Sequence, residues 1–265
     1  MIAAMDLQLQ GKHVLITGAS KGIGFACAQG FIAEGAKVSL VARTAATLDK
    51  AVADLGKPDS AASFPADLKD ADEAVKALDA AEAKFGPVDI LVNSAGAAKR
   101  VPPGELTPAR WHDAMNAKFF TYINMADPVV KRMGARGTGV IINIVGTGGK
   151  IARATHIAGG AANAALMLAS SGLAVAYADR GVRVNAVNPG PVLTDRLKEG
   201  FAAEVRLAEQ QGKPAPKQPG TELPLGRPST PQEIADMVVF LASPRSSYTT
   251  GAIIALDGAA TATVV

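Results

Sequence analysis

A glycine-rich segment near the N-terminus contains the residue types and spacing that most directly suggest chemistry. Thr17–Gly24 reads T-G-A-S-K-G-I-G and follows the apolar run His13–Thr17. Glycine lets a backbone turn tightly and approach a bound group closely, and the free N–H groups at the start of a following helix attract anions. A glycine triplet alone is weak evidence, but its place between a predicted strand and a predicted helix strengthens it. The segment predicts a phosphate-binding turn and, as the alternative, a tight turn that binds nothing.

A second anion site is indicated at the end of the next apolar run, Lys37–Ala42. In dinucleotide-binding folds an acidic residue here accepts hydrogen bonds from a ribose 2′-hydroxyl and would repel a 2′-phosphate. The residue in this chain is Ala42, followed by Arg43 and Thr44, and Lys21 lies in the glycine-rich turn. Arginine can donate two hydrogen bonds to a phosphate in a forked geometry. The pattern favours NADP(H) over NAD(H), unless Arg43 and Lys21 are ordinary surface cations.

The composition is that of one folded domain with a large core. The chain has 265 residues, of which 48% are hydrophobic, and a formal net charge of +3. Positive and negative residues are interspersed, so the charge indicates neither a nucleic acid nor a charged membrane surface as partner, whereas a small anionic ligand remains compatible with it. No linker, repeat or low-complexity tract divides the sequence. We expect a single domain over residues 1–265, with a small-molecule substrate and no metal.

The cysteine content and the first residues indicate the compartment. Cys27 is the only cysteine and cannot form an internal disulfide. Polar residues at positions 6, 8, 10 and 12 fall where a secretory signal would be apolar. Both observations predict a cytoplasmic protein.

Short apolar runs alternate with alanine-rich, helix-like segments along the chain. Continuous rather than alternating apolar runs are typical of strands buried on both faces, and strand–helix alternation indicates a parallel sheet. We therefore predict the α/β class, with a Rossmann-type doubly wound parallel sheet of about seven strands and helices on both faces. The predicted strands are His13–Thr17, Lys37–Ala42, Asp89–Asn93, Val140–Val145, Arg183–Asn188 and Ala252–Leu256. The predicted helices include Ile23–Glu34, Asp70–Phe85 and Pro108–Met133.

Two further segments have unusual composition. Ile157–Ala178 carries no charged residue and is long enough to span a bilayer, but its apolar residues are mostly alanine and it contains several glycines and polar residues. We predict a helix packed on both sides by protein rather than a membrane span. Asp195–Ser229 is charged and rich in Gly, Gln and Pro. Long loops in compact domains are usually functional, so this segment predicts a mobile substrate flap at about 195–229, with a solvated loop as the alternative.

The order of motifs along nearly the whole chain resembles that of the short-chain dehydrogenase/reductase family. The T-G-x-x-x-G-I-G spacing is similar to the family's cofactor turn, Asp67-Leu68 to its adenine-contacting pair, and Asn93-Ser94-Ala95-Gly96 to the segment after its fourth strand. Asn188-Pro189-Gly190 with Thr194 resembles the turn beside the nicotinamide. The family's C-terminal motifs follow in order, from Gly226-Arg227-Pro228 to Asp257-Gly258.

The resemblance implies an NADP(H) site and an assembly of subunits. Family members usually form homodimers or homotetramers through two long helices and the C-terminal region, which would account for the charge-free helix. The residues expected to bind the cofactor are Gly18, Ser20, Lys21, Gly22, Ile23, Gly24, Arg43, Thr44, Asp67, Leu68, Asn93, Ala95, Gly96, Asn163, Pro189, Gly190, Val192 and Thr194.

The catalytic residues that the family would place in this cleft are only partly present. Most members use Asn, Ser, Tyr and Lys, the last two spaced as Y-x-x-x-K. Asn116 falls at the asparagine position, but Gly146 stands for the serine, Gly159 for the tyrosine and Asn163 for the lysine. These positions are assigned by aligning residues 161–166, A-A-N-A-A-L, with the family's A-S-K-A-A-L, which leaves little room for a shift. The resemblance thus implies a divergent member that lacks the usual Ser, Tyr and Lys.

Three residues are candidates for what remains of the chemistry. Thr147, one place after Gly146, could hydrogen-bond a carbonyl, and Asn163 could bond a ribose hydroxyl. His156 precedes the charge-free helix and has an ordinary pKa suited to proton exchange, the alternatives being a histidine facing solvent or a subunit contact. Tyr177 is about 27 Å from Gly159 along the predicted helix and cannot reach. The expected catalytic residues are Asn116, Thr147 and Asn163.

Two functions are compatible with this set. The first is an NADP-dependent oxidoreductase with an atypical site acting on a small carbonyl, alcohol or activated alkene. Losing a general acid typically lowers the reaction rate about 10²- to 10⁴-fold. Positioning of the substrate still lowers the activation barrier, so catalysis would be weakened rather than abolished. The second is a catalytically inactive relative that binds NADP(H) as a sensor or as a partner subunit. Conversion of the cleft to hydration or elimination chemistry is a third, weaker reading.

Overall fold

The computed structural model describes residues 5–96, 98–217, 220 and 222–261. Its centre is one seven-stranded sheet, all parallel, with the strand order β3-β2-β1-β4-β5-β6-β7. The strands are rich in Val, Ile and Leu, and the residues of the central strands are buried, as expected for a sheet covered on both faces. The strands are β1 His13–Thr17, β2 Lys37–Ala42, β3 Ala61–Pro65, β4 Ile90–Asn93, β5 Gly139–Ile144, β6 Val182–Pro189 and β7 Ile253–Leu256.

Eight α-helices have bounds given by the described residues, and they cover both faces of the sheet. They are α1 Gly22–Ala33, α2 Ala45–Leu55, α3 Ala71–Phe85, α4 Pro108–Met115, α5 Thr121–Arg136, α6 Ile157–Tyr177, α7 Asp195–Gln210 and α8 Pro231–Ala242. Helices α1, α2 and α8 pack on one face with apolar residues of β1 and β2, and α3, α5 and part of α6 pack on the other. Local signals fix several helix starts. The Asp70 side chain accepts hydrogen bonds from the first turn of α3, and Thr230 and Glu233 form a capping box at α8.

The predicted fold class is confirmed, and so are most of the predicted elements. The six predicted strands agree with the structure to within one residue at each end, and the segment predicted as Pro108–Met133 is α4 and α5 joined by a wider π turn, Asn116–Phe120. Strand β3 was not predicted. Its sequence A-A-S-F-P has no β-branched residue, so pairing with β2 rather than local propensity defines it.

The segment 195–229 differs from the predicted loop. Its first half is α7, a 16-residue helix that begins directly after Thr194. Alternation of Leu, Ala and Val with charged residues gives this helix one apolar face, which the high Gly, Gln and Pro content of the second half obscured in the sequence. Residues 218, 219 and 221 lie outside the described residues.

Helix α6 is long and apolar enough to cross a membrane by length and composition, with 33% of its apolar window buried. A long helix of a water-exposed domain meets the same test. Here the buried residues Asn163 and Ser170 lie on α6, and the Asn143 amide of β5 donates to the Ser170 hydroxyl at 2.8 Å. The helix is therefore part of the domain. It is not packed on both sides by this chain, because Leu168 and Val175 are 77% and 83% exposed.

Candidate active site

The cleft lies where the strand order reverses. β1 is flanked by β2 on one side and by β4 on the other, and in open α/β sheets ligands bind at the carboxyl ends of the strands beside such a point. A cleft of about 2120 Å³ occupies this position and continues along the ends of β5 and β6. Small-molecule pockets are usually about 300–1,000 Å³, so this one has room for a dinucleotide and a substrate together.

The glycine-rich turn forms one end of the cleft by close backbone contacts. Gly18 has φ +67°, and a Cβ atom built there would lie 2.7 Å from the Cα of Ala95. A Cβ on Gly24 would lie 2.9 Å from the Gly18 carbonyl carbon and closer still to its oxygen. Gly22 has φ +60°. Approaches this close exclude any Cβ atom, so Gly18 and Gly24 are needed to bring strand, turn and helix together, and the positive φ of Gly22 favours glycine.

The start of α1 is open to an anion. Lys21, the residue before the helix, is extended, and its side chain does not cap the helix. The first backbone N–H groups of a helix have no partner within it and carry the positive end of the helix dipole. The Lys21 ammonium lies 3.0 Å from Asp195 at the start of α7, so this contact spans the cleft mouth. The glycine-rich turn, Thr17–Gly24, is the glycine cradle of the cleft. The cradle and the start of α1 together form a site that fits a pyrophosphate.

The adenosine end of the cleft is formed by the ends of β2 and β3. Ala42, Arg43 and Thr44 line it after β2, and Asp67 and Leu68 line it after β3. Arg43 is exposed. Among the described residues it forms no ion pair, so its guanidinium is available for a phosphate.

Two residues expected to bind the cofactor lie beneath the cleft instead. Asn93 is fully buried, where it accepts from the Thr17 hydroxyl at 3.3 Å and donates to the Asn143 side chain at 3.0 Å. It does not line the cleft, and its side-chain hydrogen bonds join the ends of β1, β4 and β5. Gly24 acts through the packing contact described above rather than by facing the ligand.

The remaining expected cofactor residues all line the cleft. Beyond β6, Val192 forms a bridge with Ser229, and Gly190 packs against Asp257, so the turn after this strand is held from two sides. The expected residues found in the lining are Gly18, Ser20, Lys21, Gly22, Ile23, Arg43, Thr44, Asp67, Leu68, Ala95, Gly96, Asn163, Pro189, Gly190, Val192 and Thr194.

Asn116 is not brought to the cleft. It is exposed and begins the π turn between α4 and α5. The cleft is lined instead by Ala114, Ala117, Lys118 and Thr121, which share one helical face because they are three and four residues apart. Asn116 lies on the opposite face.

Lys118 takes the buried position on this face. Its ammonium donates to the Tyr122 hydroxyl at 2.7 Å and to the Ile144 carbonyl at 3.0 Å, and no carboxylate pairs with it among the described residues. Burial and the nearby Arg196 hold the pKa of Lys118 well below its usual range. Sequence analysis missed this residue. The available signal was a lysine among Ala117, Phe119 and Phe120, four residues before a tyrosine.

His156 fills the space beside Gly159. A Cβ built on Gly159 would lie 2.7 Å from the His156 Nδ1 and closer still to its Cε1 atom. The histidine is only 9% exposed, which excludes the solvent-facing alternative, and its Nδ1 atom is buried without a hydrogen-bond partner. The imidazole therefore lies within the cleft next to position 159, and a larger residue at that position would displace it.

Thr147 and Asn163 lie next to this histidine. Thr147 lines the cleft at the start of a 3₁₀ turn, Thr147–Gly149. Asn163 is 5% exposed, and its amide nitrogen lies 3.4 Å from a Cβ built on Gly146 and 3.5 Å from one built on Gly148. The small residues at 146 and 148 thus leave space for the Asn163 and His156 side chains.

Positive charge is concentrated around His156. Burial is the main cause of the lowered pKa of His156, and the charges of Arg100, Arg196 and Arg153 act in the same direction, so that this pKa is lowered to about 4. An imidazole with such a pKa is neutral near pH 7. Its unprotonated nitrogen can accept a hydrogen bond there, and the ring becomes charged only in acid.

The fold and cleft define a dinucleotide-binding α/β protein, and comparison with known proteins narrows the class. A family model described as enoyl-(acyl carrier protein) reductase matches residues 18–261. Galactitol 2-dehydrogenase (L-tagatose-forming) of Cereibacter sphaeroides is 38% identical over 256 residues, which cover 95% of each chain. The chain belongs to the short-chain dehydrogenase/reductase family.

Two solved structures are similar over almost their full length. L-sorbose reductase from Gluconobacter frateurii, complexed with NADPH and L-sorbose, has a TM-score of 0.86 and 30% identity and covers 98% of this chain and 100% of its own. A short chain oxidoreductase from Pseudomonas aeruginosa PAO1, bound to NADPH and described as containing an atypical catalytic center, has a TM-score of 0.84 and 27% identity, with coverage of 96% and 99%.

Proposed function

We propose that this protein is an NADP(H)-dependent oxidoreductase with an atypical active site, acting on a small alcohol, carbonyl compound or activated alkene. The observation that carries the proposal is one continuous cleft that runs from the glycine cradle at Gly18 to His156, Thr147 and Asn163. The relatives named above are dehydrogenases and reductases, which supports redox chemistry at this cleft.

The preference for NADP(H) over NAD(H) is supported by the charges at the end of β2. Ala42 stands where a carboxylate would select the ribose hydroxyl, and Arg43 and Thr44 offer hydrogen-bond donors. Two similar structures contain NADPH. In this cofactor the nicotinamide exchanges a hydride with the substrate. Gly18, Gly22 and the start of α1 would bind its pyrophosphate, and Asp67 and Leu68 its adenine.

The proton that accompanies hydride exchange needs a group within this chain. We assign that role to His156, because it is the titratable side chain beside Gly159 and its neutral form can accept the proton of an alcohol. Thr147 would hydrogen-bond the substrate oxygen, and Asn163 would orient the nicotinamide ribose. Asn116 has no direct role in this scheme. Gly146, Gly159 and Asn163 stand where the resemblance puts Ser, Tyr and Lys, so the site is a divergent one.

The segment 195–229 is proposed as the substrate flap of this single domain. Leu197, Phe201 and Glu204 of α7 and Pro216 and Leu223 beyond it line the cleft. The contact of Lys21 with Asp195 would be exchanged for a contact with phosphate when the cofactor binds. A helix that covers a cleft and is held by exposed ion pairs can move without loss of core packing.

Assembly as a homodimer or homotetramer is proposed from the surface of α6. Leu168 and Val175 are exposed apolar side chains on this helix, and such residues in a contiguous patch usually mark an interface. With Cys27 buried and reduced, the assembly would function in the cytoplasm.

The test measures cofactor binding and turnover separately. NADPH and NADH binding are titrated calorimetrically, and turnover is followed with alcohols, ketones and activated alkenes, including galactitol and L-sorbose. We expect tighter NADPH binding and turnover with at least one substrate class. NADPH binding without turnover across the panel would favour a cofactor-binding sensor or partner subunit, and absence of NADPH binding would contradict both functions.

A further inference from the structure

The residues around His156 carry positive charge that has no negative counterpart at the nicotinamide end of the cofactor. Arg100, Arg153 and Arg196 line this part of the cleft, and each is close enough to His156 to disfavour a charge on it. The nicotinamide ring has no negative group, and in its oxidised form it is itself a cation. The anionic parts of the cofactor belong to the opposite end, at Lys21 and Arg43.

Helix α7 and the loop after β4 hold two of these guanidinium groups in place. Arg196, Gly200 and Glu204 follow one another at four-residue intervals on one face of α7. Arg196 donates to the Gly96 carbonyl at 3.1 Å, and Arg100 donates to Glu204 at 2.7 Å while lying against Gly200. Arg196 thus has carbonyl rather than carboxylate partners, and it remains exposed toward the cleft.

Arg153 carries the third guanidinium group, which is held by fewer contacts than those of Arg100 and Arg196. It is exposed and lines the cleft three residues before His156, and it forms no ion pair among the described residues. Glu204 pairs with Arg100, and Glu199 lies near Arg196. Arg153 is therefore the guanidinium of this group that is left without a carboxylate among the described residues.

The guanidinium of Arg153, unpaired among the described residues, indicates the charge of a ligand that would complete this site. Guanidinium groups pair with carboxylates in a planar, two-bond geometry.

We propose that the substrate of this site carries a carboxylate, bound by Arg153 and Arg196 beside His156. The proposal deepens the proposed oxidoreductase function by naming the substrate class. The substrate would be a hydroxy acid or an oxo acid, with the carboxylate at the guanidinium groups and the reacting oxygen at Thr147. A bound carboxylate also offsets the charges that oppose protonation of His156, which are those of Arg100, Arg153 and Arg196, so the acid substrate itself assists proton exchange.

The experiment uses non-reacting probes, so that it does not depend on turnover. NADPH-saturated protein is titrated calorimetrically at low ionic strength with matched acids and amides of increasing size: propionate and propionamide, then cyclohexanecarboxylate and cyclohexanecarboxamide. Cyclohexyl phosphate is the third arm. We expect at least one acid to bind about tenfold or more tightly than its amide, with the difference shrinking in added salt.

Variants connect the preference to the two arginines. Arg153→Gln and Arg196→Gln should each lose most of the acid preference while the Kd for NADPH stays within about twofold, and Arg153→Lys should keep part of it. Arg206→Gln, at an exposed position outside the cleft on α7, is the matched control and should behave as wild type.

Three outcomes would overturn the proposal. The first is equal binding of acid and amide in every pair, which includes no binding of either. The second is an acid preference that survives in the double variant of Arg153 and Arg196, and the third is tighter binding of the phosphate ester than of the acids. An acid preference in a protein that turns over no substrate would uphold the carboxylate site and contradict the oxidoreductase proposal instead.

Discussion

The two ends of the cleft are built in different ways. The expected pyrophosphate site at the cofactor end is formed mainly by backbone: Gly18 and Gly24 allow contacts that no other residue could make, and the start of α1 presents its N–H groups without a side-chain cap. The proposed catalytic end is formed by side chains from four separate segments, with His156 and Lys118 buried at its centre. A backbone site tolerates little change, whereas a side-chain site can change its chemistry while the fold is kept.

The largest effect is expected where the backbone contacts are closest. Gly24→Ala places a Cβ against the Gly18 carbonyl, so we expect a loss of about 1–3 kcal/mol in the free energy of unfolding and a loss of NADPH affinity of about 100-fold. Denaturant unfolding and calorimetric titration measure the two effects. Gly104→Ala, where a Cβ meets no atom within 4 Å, is the control. A Gly24→Ala protein that binds NADPH normally would show that the cradle is not needed.

The second prediction concerns cofactor choice. Arg43→Ala should raise the Kd for NADPH by about 10- to 100-fold and leave that for NADH almost unchanged, because a charge-assisted, forked hydrogen bond to the 2′-phosphate is lost. Calorimetric titration with both cofactors measures the ratio. If the two affinities fall together, Arg43 does not read the 2′-phosphate.

The third prediction is a stability change in acid from the catalytic end. Because the pKa of His156 falls from 6.5 to about 4 on folding, the unfolded chain binds the proton first and folding stability decreases as the pH falls from 6.5 to 4. His156 should account for about 2 kcal/mol of this loss at pH 5. Denaturant unfolding at pH 5 and 7.5 is compared between wild type and His156→Gln, in which the loss should be smaller. An identical pH dependence would contradict the burial of a neutral His156.

The fourth prediction concerns the charge of Lys118. Its pKa is lowered on folding, so the unfolded chain carries a proton that the folded chain does not, and stability should rise as the pH increases from neutral toward the ordinary pKa of lysine. Lys118→Met should remove much of that rise, measured by denaturant unfolding at about pH 7 and pH 9.5. Lys76→Met, at an exposed position of α3, is the control. A rise that persists in Lys118→Met would show that Lys118 stays charged.

The difference between the two ends also explains what could be predicted from the sequence. The glycine-rich turn and the parallel sheet were predictable because spacing and apolar runs reflect local backbone requirements. Strand β3 and helix α7 were missed because pairing with β2 and one amphipathic face define them more than composition does. Asn116 was expected in the cleft and Lys118 was not, because the side that a helix presents to a cleft depends on its packing. The grouping of Arg100, Arg153 and Arg196 arises only when distant segments meet.

The structure also changes how a conventional site could be restored. Gly159→Tyr with Asn163→Lys would supply the residues that most of the family uses, but the imidazole of His156 occupies the space next to position 159. We therefore expect increased ketone reduction only when His156→Ala is added to the pair.

The assignment of proton exchange to His156 is tested most directly by steady-state turnover of His156→Gln on the best substrate found for the wild type, with NADPH affinity measured on the same preparation. Removing a general acid or base typically lowers the rate by about 10²- to 10⁴-fold. We predict a decrease of kcat/KM in that range with an unchanged Kd for NADPH. Turnover equal to wild type in a folded, NADPH-binding variant would contradict the assignment.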